Sequence, residues 1–162
     1  MAIYMEFDSI KGSVTTAGYE GMIKLDFAYF GVYRKTNMTT GEMSSRESTI
    51  PKFSVIHMGK RVDSATPDIM KKVFSCRAGK QVKLHYVRTA EKQLNEYLEY
   101  TLENCIPAFH RVVALGTSTR APIERLYLSY SSILISDIPR GTNNKALSSL
   151  RFGYDLNAAK SL

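Results

Sequence analysis

At 162 residues and 18.2 kDa the chain fits one domain, residues 1–162, large enough to bury a core without disulfide or metal staples. Its 44% hydrophobic and 23% charged residues exclude a disordered chain, and no apolar run reaches the length that a bilayer span needs. The formal charge is +7 and is unevenly spread. From Lys60 to Arg88 eight basic residues (Lys60, Arg61, Lys71, Lys72, Arg77, Lys80, Lys83 and Arg88) face two acids, a local +6. From Glu91 to Pro107 four acids (Glu91, Glu96, Glu99 and Glu103) face Lys92 alone, a local −3. Neighbouring segments of opposite sign can pair within one molecule or dock one copy onto the next.

The first nine residues carry Glu6 and Asp8 where a secretion signal would have a basic start and an apolar centre, so synthesis and folding in the cytosol are expected. Ile3, Met5 and Phe7 alternate with Tyr4, Glu6 and Asp8, the pattern of a half-buried strand. Gly12 to Gly21 reads as a loop. A single strand is predicted over Met22 to Tyr33, with Ile23, Leu25, Phe27 and Tyr29 on its core face. Arg34 to Thr49 is polar and non-periodic, and loops of that length inside a compact domain are usually functional or mobile. Within it Met38 and Met43 either fold back onto their own domain or anchor in another copy, where thioethers adapt to a groove.

A strand around Phe53 to Gly59 leads to the one confident helix, about Thr66 to Ala78. Thr66 suits the N-cap, Pro67 the first turn, Asp68 the positive end of the dipole and Arg77 the last turn, with Gly79 closing it in the left-handed region. Ile69, Met70, Val73 and Phe74 form an apolar stripe opposite Lys71, Lys72 and Ser75. A hairpin follows: Val82, Leu84 and Tyr86, a turn at Thr89 to Gln93, then Leu98, Tyr100, Leu102 and Ile106, ended or bent by Pro107. Val112 to Leu115 is a short separate strand. In the next segment Leu126 and Leu128 lie on the even face but Ile133 and Ile135 on the odd one, so a bend near Ser131 and Ser132 is expected where the strand turns a corner or crosses between sheets. Leu150, Phe152, Tyr154 and Leu156 give the last strand its core face. The whole reads as mainly β: a two-sheet barrel with one flanking α-helix and a long extended loop.

No chemistry is apparent. His57, His85 and His110 lack the spacing of a helical zinc pair, and Cys76 and Cys105 show no metal or redox spacing, so the expectation is two buried free thiols and no metal or cofactor. Gly79-Lys80 stands at the wrong end of its helix for a phosphate. Gly116 to Ser118 starts like a nucleophile elbow, but Arg120 replaces its second glycine. Ten tyrosines, seven phenylalanines and a pI of 9.4 raise nucleic-acid binding. Against it, Phe27, Phe74, Phe152 and Tyr154 are assigned to the core.

Met1-Ala2-Ile3-Tyr4-Met5-Glu6-Phe7 followed by Ile10-Lys11-Gly12, Asp63 to Met70, Gly79-Lys80, Glu96-Tyr97-Leu98, Thr101 to Asn104, Glu124 to Tyr130, and Phe152-Gly153-Tyr154-Asp155-Leu156 occur in the order and spacing of one family. Across essentially its whole length the chain resembles Hcp (hemolysin-coregulated protein), the tube protein of bacterial type VI secretion systems. It departs from the family at Phe30-Gly31, where Trp often precedes the Gly, and at Pro107-Ala108-Phe109, which replaces a more polar turn.

The resemblance implies a protein that is not an enzyme. It implies homohexameric rings stacked into an injected tube, small effectors carried in the lumen, and a spike protein and contractile sheath as further partners. It also implies residence in the bacterial cytoplasm followed by secretion without a cleaved signal peptide. On this reading Arg34, Met38, Met43, Arg46 and Glu47 belong to a loop reaching between protomers or rings. Lys71, Lys72, Lys83, Glu96, Glu99 and Glu103 supply a charge-complementary interface. The alternative is a basic β-barrel module that binds nucleic acid or another polyanion.

Overall fold

The structure, a computed structural model, describes residues 1–8, 10–36, 40, 50–75, 78–90, 93–116, 119–139 and 148–162; Met38, Met43, Arg46, Glu47 and Cys76 lie outside them. Its elements in chain order are β1 (Ala2–Phe7), β2 (Ile23–Leu25), β3 (Phe27–Tyr29), β4 (Val32–Tyr33), β5 (Lys52–Phe53), β6 (Ile56–Arg61), α1 (Thr66–Ser75), β7 (Lys80–Ala90), β8 (Gln93–Val113), β9 (Ile123–Ser129), β10 (Ser132–Asp137), β11 (Leu150–Asp155) and β12 (Lys160–Ser161). One sheet runs β12-β11-β10-β8-β7-β1-β2 and the other β3-β6-β9-β8, so the long strand β8 serves both. The mainly-β, two-sheet architecture with one helix is as the periodicity predicts. The barrel is one of shape, because β2 and β3 end different sheets and the ladder does not close.

The core lies between the two sheets. Met5, Ile23, Leu84, Leu102 and Ile133 from the first meet Ile56, Met58, Leu126 and Leu128 from the second, each at most 2% exposed. Each such side chain contributes about 1.5–3 kcal/mol of burial.

Three places carry the chain from one sheet to the other. At Asp26, whose N–H donates to Gly59 O at 2.8 Å, the expected single strand over Met22 to Tyr33 breaks into β2, β3 and β4. The break reverses the faces: Ile23 and Leu25 are buried, whereas Tyr29 is 58% exposed and Phe27 faces outward beside it. At Asn104, held at φ 52°, β8 crosses between sheets; Cys105 and Pro107 then point inward, and Pro107 bends the strand without ending it. Val112 accordingly belongs to β8 and not to a separate strand. At Ser131 the expected bend is present, its N–H donating to Glu103 O at 3.0 Å, so both crossings meet at one corner.

The helix departs from its predicted form in three ways. The first helical hydrogen bond, Ile69 N to Ala65 O at 3.0 Å, puts Ala65 at the cap position, while Asp63 Oδ1 takes the Ala65 N–H at 2.9 Å and frees the Thr66 hydroxyl for other partners. The apolar stripe is only half covered: Ile69 is buried, but Met70 is exposed and Phe74 is 82% exposed. Gly79 does not enter the left-handed region; a Cβ there would lie 2.3 Å from the carbonyl carbon of Asn104, so it is close approach of β8 that requires glycine. On β11, Leu150 and Phe152 are exposed and Tyr154 alone of the three is buried. Cys105 is a buried free thiol, its pKa pushed up to about 12 by burial and by the Glu103 charge, against a lowering hydrogen bond with Val82.

Candidate assembly surfaces and a buried histidine cluster

The segment between Arg34 and Thr49 springs from a two-stranded ribbon that pairs with neither main sheet: Val32 opposes Phe53 and Tyr33 opposes Lys52. Its base is fastened to the domain. Gly31 N–H donates to Ser54 Oγ and Ser54 N–H to Gly31 O, both at 2.9 Å, Tyr130 Oη donates to Ser54 O, and Phe53 stacks on Tyr154 at 4.9 Å. Its upper part is apolar and uncovered, with Val32, Tyr33 and Ile50 at 50, 59 and 67% exposure and Arg34 exposed beside them.

The start of α1 is tied to the second sheet by buried charges. Lys60 Nζ lies 2.7 Å from Asp63 Oδ1 and 2.8 Å from Glu124 Oε2, and donates to Arg61 O at 2.9 Å. The Thr66 hydroxyl donates to Glu124 Oε1 at 2.5 Å, and His110 Nε2 lies 3.6 Å from Oε2. Lys60 and Glu124 are register partners on β6 and β9. Lys60, counted along the chain with the basic segment, is therefore buried and not available to a partner. The signal was present in the alternation: Lys60 continues the buried parity of Ile56 and Met58, and Glu124 that of Leu126 and Leu128.

On the outer face of the first sheet, four strand positions converge. His85 of β7 is 9% exposed at its side chain; its Nδ1 lies 2.9 Å from Glu96 Oε1 and 3.7 Å from Glu99 Oε2, and its Nε2 lies 3.8 Å from Glu6 Oε2. The Gly12 to Gly21 loop roofs the site: Tyr19 stacks on Tyr4 at 4.9 Å and sets its edge on His85 at 5.9 Å. Burial by itself would lower the imidazole pKa, but the hydrogen bond with Glu96 and the charges of Glu96, Glu99 and Glu6 outweigh it and raise the value above 6.5. Of the predicted interface charges, Glu96 and Glu99 therefore turn onto a histidine of their own molecule. Lys83 stands opposite Glu6 in register, Glu103 is exposed and accepts from Gln81 at 2.6 Å, and Lys71 is exposed on the helix beside the less exposed Lys72.

The outer face of the second sheet carries an aromatic row. Tyr29, His57, Tyr127 and Phe109 are successive register partners, with ring centroids 4.9, 4.1 and 4.5 Å apart. The next row places Arg125 opposite Arg111, and Phe27 lies across Gly59, where a Cβ would sit 2.1 Å from the ring. Phe27, Tyr29, His57 and Tyr127 line a cleft of about 240 Å³. Thus Phe27, Phe74 and Phe152, expected in the core, are surface residues, and only Tyr154 of that set is buried.

The comparisons agree with this architecture. No curated protein matches the chain in sequence. Among solved structures, one described as that of a type six secretion system protein superposes with TM-score 0.89 at 19% identity, covering 99% of both chains. Hcp1 from Salmonella typhimurium matches with TM-score 0.76 at 21% identity over 99% of this chain and 98% of its own. A type VI secretion system effector from Yersinia pestis gives 0.74 at 16% over 94 and 98%. Among the described residues no helix is long and apolar enough to cross a membrane. Residues 4–136 match the family described as "Type VI secretion system effector, Hcp", and the chain belongs to that family of secreted type VI secretion tube proteins.

Proposed function

We propose that the chain forms hexameric rings that stack into the type VI inner tube and carry small effectors in the lumen, with no catalytic role. The observation that carries this reading is the β4–β5 ribbon. Three uncovered apolar side chains on a stem fastened to the core are what a contact with another copy requires, and in sequence they flank the segment holding Arg34, Met38, Met43, Arg46 and Glu47. Lys71 and Lys72, on the helix that carries the exposed Phe74, form the basic side of the contact between neighbours in a ring, and Glu103 the acidic side. The route is export of folded protein from the bacterial cytoplasm without a cleaved signal peptide, and spike and sheath are the further partners.

Light scattering behind a sizing column tests it. The native chain should run as a hexamer, and Val32, Tyr33 and Ile50 changed together to Ser should abolish stacking or ring formation while leaving a folded monomer. A native chain that stays monomeric at high concentration, with secretion intact when its gene is deleted, would overturn the proposal.

A polyanion-binding module is the second reading, favoured by the Arg111–Arg125 pair beside exposed aromatics. The rings of that row contact one another across the strands, so their faces are already engaged and offer bases an edge and not a stacking platform. Salt-sensitive binding of a single-stranded oligonucleotide, lost in R111E/R125E, would support it.

A further inference from the structure

We propose that His85, Glu96 and Glu99 form a binding site for a divalent transition-metal ion of the zinc class, with Glu6 facing the far nitrogen of the imidazole. Among the described residues this is the one place where three potential ligand side chains converge, their ligand atoms all within 4.8 Å of one another. Two ligands around a tetrahedral zinc at about 2.0–2.1 Å stand about 3.3 Å apart. The present separations of 2.9 and 3.7 Å from His85 Nδ1 bracket that value, and the two carboxylates, within 4.8 Å of each other, close on the ion by side-chain rotation.

The second observation is independent of the carboxylates. The His85 side chain is more than nine-tenths buried, and its Nε2 has no hydrogen-bond partner. With a metal on Nδ1, the remaining ring proton sits on Nε2 and faces Glu6 Oε2 at 3.8 Å, beyond hydrogen-bond distance as the chain stands, so that a shift of less than an ångström would let the carboxylate accept it and fix the ring. One imidazole and two carboxylates suit zinc, with manganese or cobalt as substitutes, and leave an open position for water. The other buried carboxylate beside a histidine, Glu124, is already matched by the Lys60 ammonium and offers no such place. Sequence spacing could not show this site, because β7–β8 pairing brings the acids under the histidine and β1 supplies Glu6.

Metal-stripped full-length protein titrated with zinc chloride in a calorimeter should bind one ion per chain at this site. E99Q should weaken binding more than tenfold, and E6Q by roughly tenfold through loss of the charge that faces the far ring nitrogen. Cobalt(II) should give weak d–d bands without a thiolate charge-transfer band, and should shift the His85 imidazole resonances in the unmodified chain, a readout that needs no variant. Zinc binding equally tight in native protein and in E96Q/E99Q, no binding in either, an intense thiolate band, or shifts confined to His57 or His110 would each overturn the assignment. None of these outcomes bears on the oligomeric state, so the site stands or falls apart from the tube.

Discussion

At the scale of single residues the most consequential feature is the ammonium of Lys60, closed off from water between Asp63 and Glu124. Removing one member of such a pair leaves an uncompensated buried charge, whereas removing both exchanges it for packing. Lys60→Met should therefore cost about 3–5 kcal/mol, while K60M/E124Q, which keeps an acceptor for the Thr66 hydroxyl, should be clearly more stable than the single variant. Urea unfolding midpoints decide it. A single variant within about 1 kcal/mol of the native chain would mean that water reaches the pair. Here the sequence was legible in principle, since both charges fall on the apolar parity of their strands. Counting charge along the chain hid it by assigning Lys60 to a basic surface.

At the scale of elements, crossings between the sheets were readable where apolar parity was interrupted and unreadable where it was not. The crossing at Ser131 announces itself because buried residues change from even to odd. The crossing at Asp26 does not: Ile23, Leu25, Phe27 and Tyr29 are all large and apolar, so the pattern runs straight through a reversal of faces. The crossing at Asn104 was obscured by Pro107, which does bend β8 but three residues after the strand has changed sheets. The described helix ends at Ser75, short of the predicted end at Ala78, and Gly79 is required beyond it for a different physical reason. Gly79 meets the backbone of Asn104, at the residue whose positive φ turns β8 from one sheet to the other, so helix exit and sheet crossing share one joint. Gly79→Ala should then be more damaging than Gly59→Ala. At Gly59 the obstacle is the Phe27 ring, which can swing aside; at Gly79 it is main chain, which cannot. The expected loss is about 3 kcal/mol at Gly79 and about 1 kcal/mol at Gly59, read from thermal unfolding. Equal losses would show that the corner is pliable.

At the scale of the whole molecule, the charge asymmetry acquires a geometric meaning only if the two signs lie on different faces. Glu96 and Glu99 are committed to His85, so the charges left for a neighbour are Lys71 and Lys72 on the helix and Lys83 and Glu103 on the first sheet, of which the helix pair and Glu103 are the two sides of the proposed contact. An interface between unlike faces is heterologous, and a heterologous contact repeated by a closing rotation makes a ring. Reversing one side, K71E/K72E, sets acid against Glu103; reversing the other, E103K, sets base against the lysines. Each variant alone should fall below hexamer, because repulsion of about 1 kcal/mol per contact recurs at every interface. An equimolar mixture restores opposite charge at every contact, provided the two kinds of protomer alternate, and strict alternation closes only in rings of even number. Native mass spectrometry of the mixture should therefore find hexamers containing three copies of each variant, weakened at 1 M salt, where the screening length falls to about 3 Å. Hexamers of either variant alone, or a mixture that stays dissociated, would place the ring contact on other faces, with the aromatic row of the second sheet the next to test.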